Sequence, residues 1–176
     1  MSKIKTERLT LRPFTMEDAD VVSSIVSDID VARQTATMPH PLSVASANEW
    51  IAAIVDGDDV VYGIELEGQL IGKIGFKPAD TGAMEVSYWL DKDYWGQGFA
   101  TEAGKAALPV IFDCTSIEYM IAGHAKDNPG SGRVIEKLGF KPVGDMMHYS
   151  LARDADVDCL LYHLHRADFT KKALKT

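Results

Sequence analysis

Three runs of alternating apolar and polar residues follow one another in the middle of the chain, at residues 60–66, 69–76 and 83–90. A period of two is typical of strands that bury one face. The stretch Glu67-Gly68-Gln69 joins the first two runs and predicts a hairpin, and a turn at residues 79–82 leads to the third. Because strands joined by short turns pair antiparallel, the chain is restricted to folds with an antiparallel sheet at their centre.

The remaining patterns place strands and helices on both sides of this meander. Further strands are predicted at residues 8–14 and 116–125 and on both sides of a turn at residues 153–156. Helices are predicted at residues 15–28, with Thr15 as N-cap, at 46–57, opened by Ser46 and Glu49, at 94–113 and at 128–139. Pro109 is expected to kink the third helix or end it early. The pattern indicates an α+β fold, with a mixed, mostly antiparallel sheet of about seven strands flanked by about four helices.

Length and charge limit the domain count and the partners. With 176 residues and 46% hydrophobic content, the chain can bury one core, and we expect a single domain over residues 1–176. The formal net charge of −8 argues against nucleic acid and membrane as partners, because both need a positive surface. No apolar run approaches the ~18 residues that span a bilayer, and the charged start lacks a signal peptide's apolar segment. A cytoplasmic protein is therefore expected.

The two cysteines, Cys114 and Cys159, lie in apolar surroundings without a partner at metal-ligand spacing. Both are expected to be reduced thiols in the core. No metal site is predicted.

The stretch YWGQGFATEA, residues 94–103, places two glycines where a strand gives way to a helix. Free backbone N–H groups and the positive end of the helix dipole make such a junction an anion site for phosphate. The glycines also fit a second interpretation, a tight turn without a ligand. The dinucleotide fingerprint is disfavoured because Thr101 occupies its third glycine position, and the P-loop spacing is absent.

A second junction, KDNPGSGRVIEKLGF at residues 126–140, again places Asn, Gly and Ser between a strand and a helix. Two such junctions on neighbouring strands form one cleft. Together with TERLTLRPFTMEDAD and EVSYWLDKDYWGQGFATEA, this segment resembles the GNAT acetyltransferase superfamily, most closely its RimJ/RimL-like branch. The resemblance runs from about Thr6 to Asp168. Trp95 and Ala100 replace residues common in the superfamily motif, and both are usual in this branch.

The resemblance implies an N-acetyltransferase that uses acetyl-CoA as co-substrate. The strand VSYWL splays from its neighbour, the pyrophosphate lies on the backbone amides from Gly96 to Thr101, and Asn128 hydrogen-bonds the pantetheine arm. The cofactor-binding residues implied by the family pattern are Trp89, Leu90, Trp95, Gly96, Gln97, Gly98, Phe99, Ala100, Thr101, Asn128 and Ser131.

Acetyl transfer to an amine needs a group that accepts the amine proton and a donor for the leaving thiolate. Glu85 is the candidate base, because alternation puts it on one face with Ser87 and Trp89 and a carboxylate facing inward is costly unless it is paired or functional. The other interpretation is a solvated strand face. Ser131 is the candidate thiolate donor by resemblance. Its other interpretation is a helix-start hydroxyl, and the helix that follows contains no tyrosine.

The acceptor is expected to be a primary amine, either a protein N-terminal α-amine or a small molecule, that attacks the acetyl group directly in a ternary complex. Candidate acceptor-binding residues are His40, Glu85 and Tyr149, and loop histidines are often only surface residues. An alternative of another class is a non-catalytic acyl-CoA-binding sensor. The closing run CLLYHLH, residues 159–165, offers a strand edge for pairing with a second subunit in a homodimer, and the alternative is an edge covered by loops.

Overall fold

The structure, a computed structural model, describes residues 1–169 as a central sheet with helices on both faces. The strands are β1 (Ile4–Lys5), β2 (Leu9–Arg12), β3 (Val60–Leu66), β4 (Gln69–Pro78), β5 (Met84–Leu90), β6 (Tyr119–Ala125), β7 (Lys141–Ser150) and β8 (Ala155–His165). The helices are α1 (Ala19–Val26), α2 (Ile29–Ala32), α3 (Val44–Asp56), α4 (Phe99–Cys114) and α5 (Pro129–Lys137). Short 3₁₀ turns lie at Met16–Asp18, Lys92–Tyr94 and Arg166–Asp168.

The eight strands form one sheet in the order β1-β2-β3-β4-β5-β6-β8-β7. The β3–β4 hairpin turns at Glu67 and Gly68, whose φ values of 51° and 86° suit the tight two-residue turn of a hairpin. All neighbours pair antiparallel except β5 and β6, which are parallel. The mixed α+β fold predicted from the sequence is confirmed, with eight strands in place of about seven.

Two apolar cores cover the two faces of the sheet. On one face, α4 and α5 bury Leu108 and Ile135 against strand residues that include Ile74 and Phe76. On the other face, α1 and α3 bury a second cluster that includes Val22, Ile51 and Trp89. Because β5 contributes Val86 and Leu90 to the first cluster and Trp89 to the second, this strand is anchored from both sides.

The parallel pairing of β5 with β6 is brief. It joins Met84 to Met120 and Glu85 to Ile121, and the ladder ends there. The remaining residues of β5, up to Leu90, continue to pair with β4 on their other side. A gap therefore opens on the β6 side of β5, directly before the glycine-rich start of α4.

Several local expectations need correction. Helix α3 begins after Ser43, whose hydroxyl accepts the N–H of Ser46 at 3.1 Å, so the helix starts three residues before the predicted site. Helix α4 continues through Pro109 to Cys114, so the proline does not end it early. Cys114 is exposed because it closes that helix, while Cys159 is buried as expected.

The predicted strand edge is also wrong. The run CLLYHLH lies within β8, which is paired on both sides, by β6 and by β7. β7 forms the edge of the sheet instead.

Within residues 1–169, no helix is both long and apolar enough to cross a membrane.

Candidate active site

A cleft of about 460 Å³ opens where β5 leaves β6. β5 supplies Tyr88, Trp89 and Leu90 to its wall. The loop before α4 and the starts of α4 and α5 supply further residues that include Gly98 and Ser131, and Val31 and Gln34 also line the cleft. The two glycine-rich junctions predicted from the sequence therefore do meet in one cleft, which we call the first cleft.

The loop before α4 brings its backbone to the surface of the first cleft. Gly96 and Gly98 have φ values of 74° and 85°, a region that favours glycine. No heavy atom lies within 4 Å of a Cβ built on Gly96, so the main chain there is open to a ligand. Trp95 fixes the loop by donating its indole N–H to the carbonyl of Leu90 at 2.9 Å. The free N–H groups at the start of α4 make this loop suited to an anion.

The start of α5 carries a hydroxyl pair. The side-chain oxygen of Asn128 caps the helix by accepting the N–H of Ser131 at 3.1 Å. The Ser131 hydroxyl lies 2.7 Å from the hydroxyl of Tyr88, which also lies 3.0 Å from the Ser131 carbonyl. Burial raises the pKa of Tyr88, and the hydrogen bond with Ser131 only partly offsets it. Tyr88 therefore keeps its proton across the physiological range.

Two buried polar side-chain atoms belong to residues of this cleft. Among the described residues, Trp89 Nε1 and Gln34 Oε1 are buried without a hydrogen-bond partner, and both residues line the first cleft. Buried polar groups are normally paired within the protein or with ordered water. Arg133 and Lys137 of α5 add two cationic side chains to the same cleft.

A second cleft, of about 260 Å³, lies beside β6 and the β7–β8 hairpin, and it shares Gln34 with the first cleft. Glu85 and His148 line it, and Nε2 of His148 is a further buried atom without a partner in the part of the chain that the structure describes. Arg153 closes one wall by donating to both carboxylate oxygens of Asp127, at 2.7 and 3.0 Å. The second cleft thus offers a carboxylate and an imidazole next to the first.

Glu85 does not face inward as predicted. It is exposed, as is Ser87, while Trp89 on the same face is buried. The reason is that the apolar cluster under α1 and α3 includes Trp89 but not the other two residues. The Glu85 carboxylate therefore faces the second cleft, where a ligand can reach it.

Residues 8–141 match the model of the acetyltransferase (GNAT) domain. The chain belongs to the GNAT acetyltransferase family. The uncharacterized N-acetyltransferase p20 of Bacillus licheniformis is 29% identical over 96% of this chain and 99% of its own. The spermidine N(1)-acetyltransferase of Escherichia coli strain K12 is 24% identical over 90% of this chain and 88% of its own.

Solved structures share the fold. RimJ of Mycobacterium smegmatis, in complex with CoA-disulfide, superposes with a TM-score of 0.84 at 21% identity, over 99% of this chain and 92% of its own. RimL, named as a ribosomal L7/L12 alpha-N-protein acetyltransferase in complex with coenzyme A, superposes with a TM-score of 0.80 at 19% identity, over 93% of this chain and 98% of its own. At these identities the likeness supports the fold alone.

Most of the predicted cofactor residues of this GNAT chain line the first cleft. They are Trp89, Leu90, Trp95, Gly96, Gly98, Phe99, Ala100, Thr101, Asn128 and Ser131. Gln97 is not among the lining residues, and its side chain donates to the carbonyl of Asp93 at 3.0 Å. Of the predicted acceptor residues, Glu85 lines the second cleft, while His40 and Tyr149 are exposed and line neither. Acceptor roles for His40 and Tyr149 stay predictions.

The sequence did not single out several residues that line the clefts of this acetyltransferase. Tyr88, Gln34 and Arg133 line the first cleft, and none of them was predicted as a site residue. His124 is buried, with Nδ1 2.8 Å from the carbonyl of Ala125. The signal for Tyr88 was present in the run VSYWL, but its contact with Ser131 depends on how α5 packs against β5.

Proposed function

We propose that this GNAT chain, as a single cytoplasmic domain, transfers the acetyl group of acetyl-CoA to a primary amine that attacks directly in a ternary complex. The observation that carries the proposal is the meeting of two clefts at Gln34. One has a glycine-rich anion site, and the other presents the carboxylate of Glu85. Spermidine and a ribosomal protein N-terminus, the acceptors named for two relatives, are both amines.

The first cleft has the chemistry to hold acetyl-CoA. The backbone at Gly96 and Gly98 suits the pyrophosphate, and Arg133 and Lys137 supply charge for the anionic cofactor. Trp89 and Gln34 line the same cleft and are placed to contact the amide-rich pantetheine arm. When bound, acetyl-CoA supplies a thioester that an amine can attack. The oxygen of Asn128 already caps α5, so its amide N–H group is the part left for the cofactor.

The second cleft has the chemistry to receive the amine. A free alkyl amine is mostly protonated near neutral pH, and a carboxylate both attracts the ammonium form and accepts its proton. No hydrogen bond or ion pair within residues 1–169 occupies the Glu85 carboxylate, so it is available for that proton. We assign Glu85 the roles of amine ligand and general base.

Ser131 is the proposed proton donor for the departing thiolate. Its hydroxyl lies at the start of α5 in the wall of the first cleft, 2.7 Å from the Tyr88 hydroxyl. Burial raises the pKa of Tyr88, so the tyrosine keeps its proton and orients the Ser131 hydroxyl by a hydrogen bond. The proton that Ser131 gives to the thiolate is regained from water after the product leaves.

Calorimetric titration with acetyl-CoA tests the cofactor site. The wild type should bind, and Gly98→Glu should lose binding because its carboxylate repels the pyrophosphate and strains a left-handed position. Gly68→Glu is the matched control: its φ of 86° imposes the same backbone strain, but it lies in the β3–β4 turn. Equal loss in both variants would point to misfolding.

An amine screen then tests catalysis by the formation of CoA. Turnover of a polyamine or of a peptide with a free N-terminus identifies the acceptor class. Tight acetyl-CoA binding without turnover of any primary amine would favour the sensor function, and failure of the wild type to bind would overturn the proposal.

A further inference from the structure

Arg8 contacts the glycine loop, residues 95–98, without lining the first cleft. Its Nη1 donates to the carbonyl of Gln97 at 3.1 Å, and its guanidinium carbon lies 4.3 Å from the centre of the Phe99 ring. Its Nη2 would lie 3.6 Å from a Cβ on Gly98. The arginine thus contacts the residues on both sides of Gly98, at the point where the loop becomes α4.

Glu102, in the first turn of α4, holds the arginine in place. Its carboxylate accepts from Nε and Nη2 of Arg8, both at 2.7 Å, and from the Arg8 backbone N–H at 2.9 Å. Thr6 adds a hydrogen bond from its hydroxyl at 2.5 Å. Although burial opposes it, these bonds lower the pKa of Glu102. Glu102 is therefore ionised, and Arg8 neutralises its negative charge next to the glycine loop, where the cofactor phosphates are proposed to bind.

The hydrogen bond to Gln97 also fixes the direction of the next amide. In a planar trans peptide the C=O and the following N–H point in opposite directions. With the Gln97 carbonyl held by Arg8, the N–H of Gly98 points away from the arginine, and Gly98 is a lining residue of the first cleft. Because Gly98 and Gly96 have positive φ, where glycine moves with little steric restraint, this peptide needs an external restraint.

We propose that Arg8 is a positioning residue that locks the Gln97–Gly98 peptide with its N–H toward the cofactor phosphates. The proposal rests on the proposed acetyl-CoA site. Arg8 acts through the loop, and the phosphates bind to the backbone that it orients. The N-terminal segment before β2 thereby becomes part of the cofactor-binding machinery.

Arg166 provides a matched control at the opposite end of the same helix. It donates to the carbonyls of Phe112, Thr115 and Ile117 at 2.7–2.9 Å. Its guanidinium carbon lies 5.1 Å from the centre of the Phe112 ring. Both arginines therefore tie a terminus of α4 to the rest of the fold through carbonyl and ring contacts, but Arg166 lies outside the residues that line the clefts.

The test compares Arg8→Ala with Arg166→Ala. Calorimetry should show the Kd for CoA rising about tenfold in Arg8→Ala, as expected when one charge-assisted restraint is lost. With acetylpantetheine, which lacks the pyrophosphate, kcat/KM should stay at the wild-type value. Arg166→Ala should lower Tm and leave the Kd for CoA unchanged. Arg8→Lys, which keeps the charge but has a single donor group, should fall between wild type and Arg8→Ala.

The double variant Arg8→Ala, Glu102→Gln separates orientation from charge. Weak CoA binding that persists in the double variant supports the peptide lock, and wild-type affinity there would show that Arg8 serves only to neutralise Glu102. An unchanged Kd in Arg8→Ala, or equal losses with acetyl-CoA and acetylpantetheine, would also overturn the proposal. If the wild type itself fails to bind CoA, the proposed function falls together with this inference.

Discussion

The hydroxyl of Tyr88 on β5 lies 2.7 Å from the hydroxyl of Ser131 on α5, so a hydrogen bond spans the first cleft at the point where the strands separate. The two residues are 43 positions apart in the chain. Tyr88 has one proton, which it can donate to the Ser131 carbonyl at 3.0 Å or to the Ser131 hydroxyl. When Tyr88 donates to the hydroxyl, the Ser131 proton is free to point into the cleft, which is the arrangement that protonation of a thiolate requires.

Ser131→Ala is expected to lower kcat by about 10²-fold, within the range for loss of a general acid, and to leave the Kd for acetyl-CoA unchanged. Tyr88→Phe should lower kcat less, by about tenfold, because Ser131 keeps its hydroxyl but loses the hydrogen bond that orients it. Stopped-flow single-turnover rates measure both effects. Tyr119→Phe is the control. The centre of this ring lies 5.4 Å from the centre of the His165 ring, on which it stacks, and Tyr119 lines neither cleft. Wild-type rates in Ser131→Ala would remove the donor role.

Glu85→Gln should lower kcat by about 10²- to 10⁴-fold near neutral pH, because the amide cannot accept the proton of the amine. The deficit should shrink as the pH rises toward the pKa of the acceptor amine, about 10 for an alkyl amine, since more acceptor is then already neutral. Rates measured from pH 7 to 10 test this. Glu49→Gln, on the exposed surface of α3, is the control. A deficit that does not depend on pH would argue against Glu85 as the base.

The glycine junctions could be predicted from sequence because their signal is local. Gly96 and Gly98 show up as residues with unusual backbone freedom, and Asn128 as an N-cap, without knowledge of the rest of the fold. The Tyr88–Ser131 contact had no such signal, because alternation gives the strand face that Tyr88 occupies and not its partner on α5. The contact can be recognised only once the packing of α5 against β5 is known.

The errors have physical causes of the same kind. Ser46 and Glu49 match a capping box, but Ser43 lies three residues upstream and captures the Ser46 N–H first. Glu85 was assigned an inward face because a central strand is usually covered, yet helices α1 and α3 cover only the Trp89 end of β5. In the first case an upstream serine begins the helix earlier than the capping pattern indicates, and in the second the helices cover less of the strand than its central position suggests.

Asp18 should be the most important carboxylate for stability at the N-terminal end. It is 6% exposed, and Arg12 donates to both of its oxygens at 2.8 and 2.9 Å. Asp18→Ala should cost about 3 kcal/mol in urea unfolding, since it leaves a largely buried guanidinium short of a partner. Asp20→Ala, exposed in the next turn, should change stability by less than about 0.5 kcal/mol.

Acid should weaken the same contact. Although burial opposes it, the hydrogen bonds from Arg12 and Thr15 lower the pKa of Asp18 below its ordinary value of 3.8. A group with a lowered folded-state pKa stabilises the fold above its unfolded pKa and loses that contribution as the pH falls through the folded value. The stability gap between wild type and Asp18→Ala should therefore begin to narrow below about pH 4 and narrow further as the pH falls through the lowered pKa of Asp18. A gap that stays constant down to pH 2 would contradict the assignment.

Lys73 gives a pH dependence of the same sign in a higher pH range. Lys73 lies on β4, and its ammonium donates to the hydroxyl of Ser87 on β5 at 2.7 Å. Glu85 lies two residues before Ser87 on β5. Burial lowers the pKa of Lys73 from 10.5 to about 8, although the carboxylates of Glu85 and Asp59 pull it upward. Between these two values the unfolded chain binds more protons than the folded chain, so the stability contributed by this residue rises with pH. Below about pH 8 its full cost is present.

Urea unfolding of wild type and Lys73→Met between pH 7.5 and 10 measures this effect. The wild type should gain stability relative to the variant as the pH rises, by at most about 1.4 kcal/mol per pH unit because one proton is involved. The methionine fills a similar volume but does not titrate, so groups common to both proteins cancel. A stability difference that stays constant across this range would mean that Lys73 keeps its ordinary pKa. The Lys73 ammonium would then be hydrated in the folded protein, and burial would not lower its pKa.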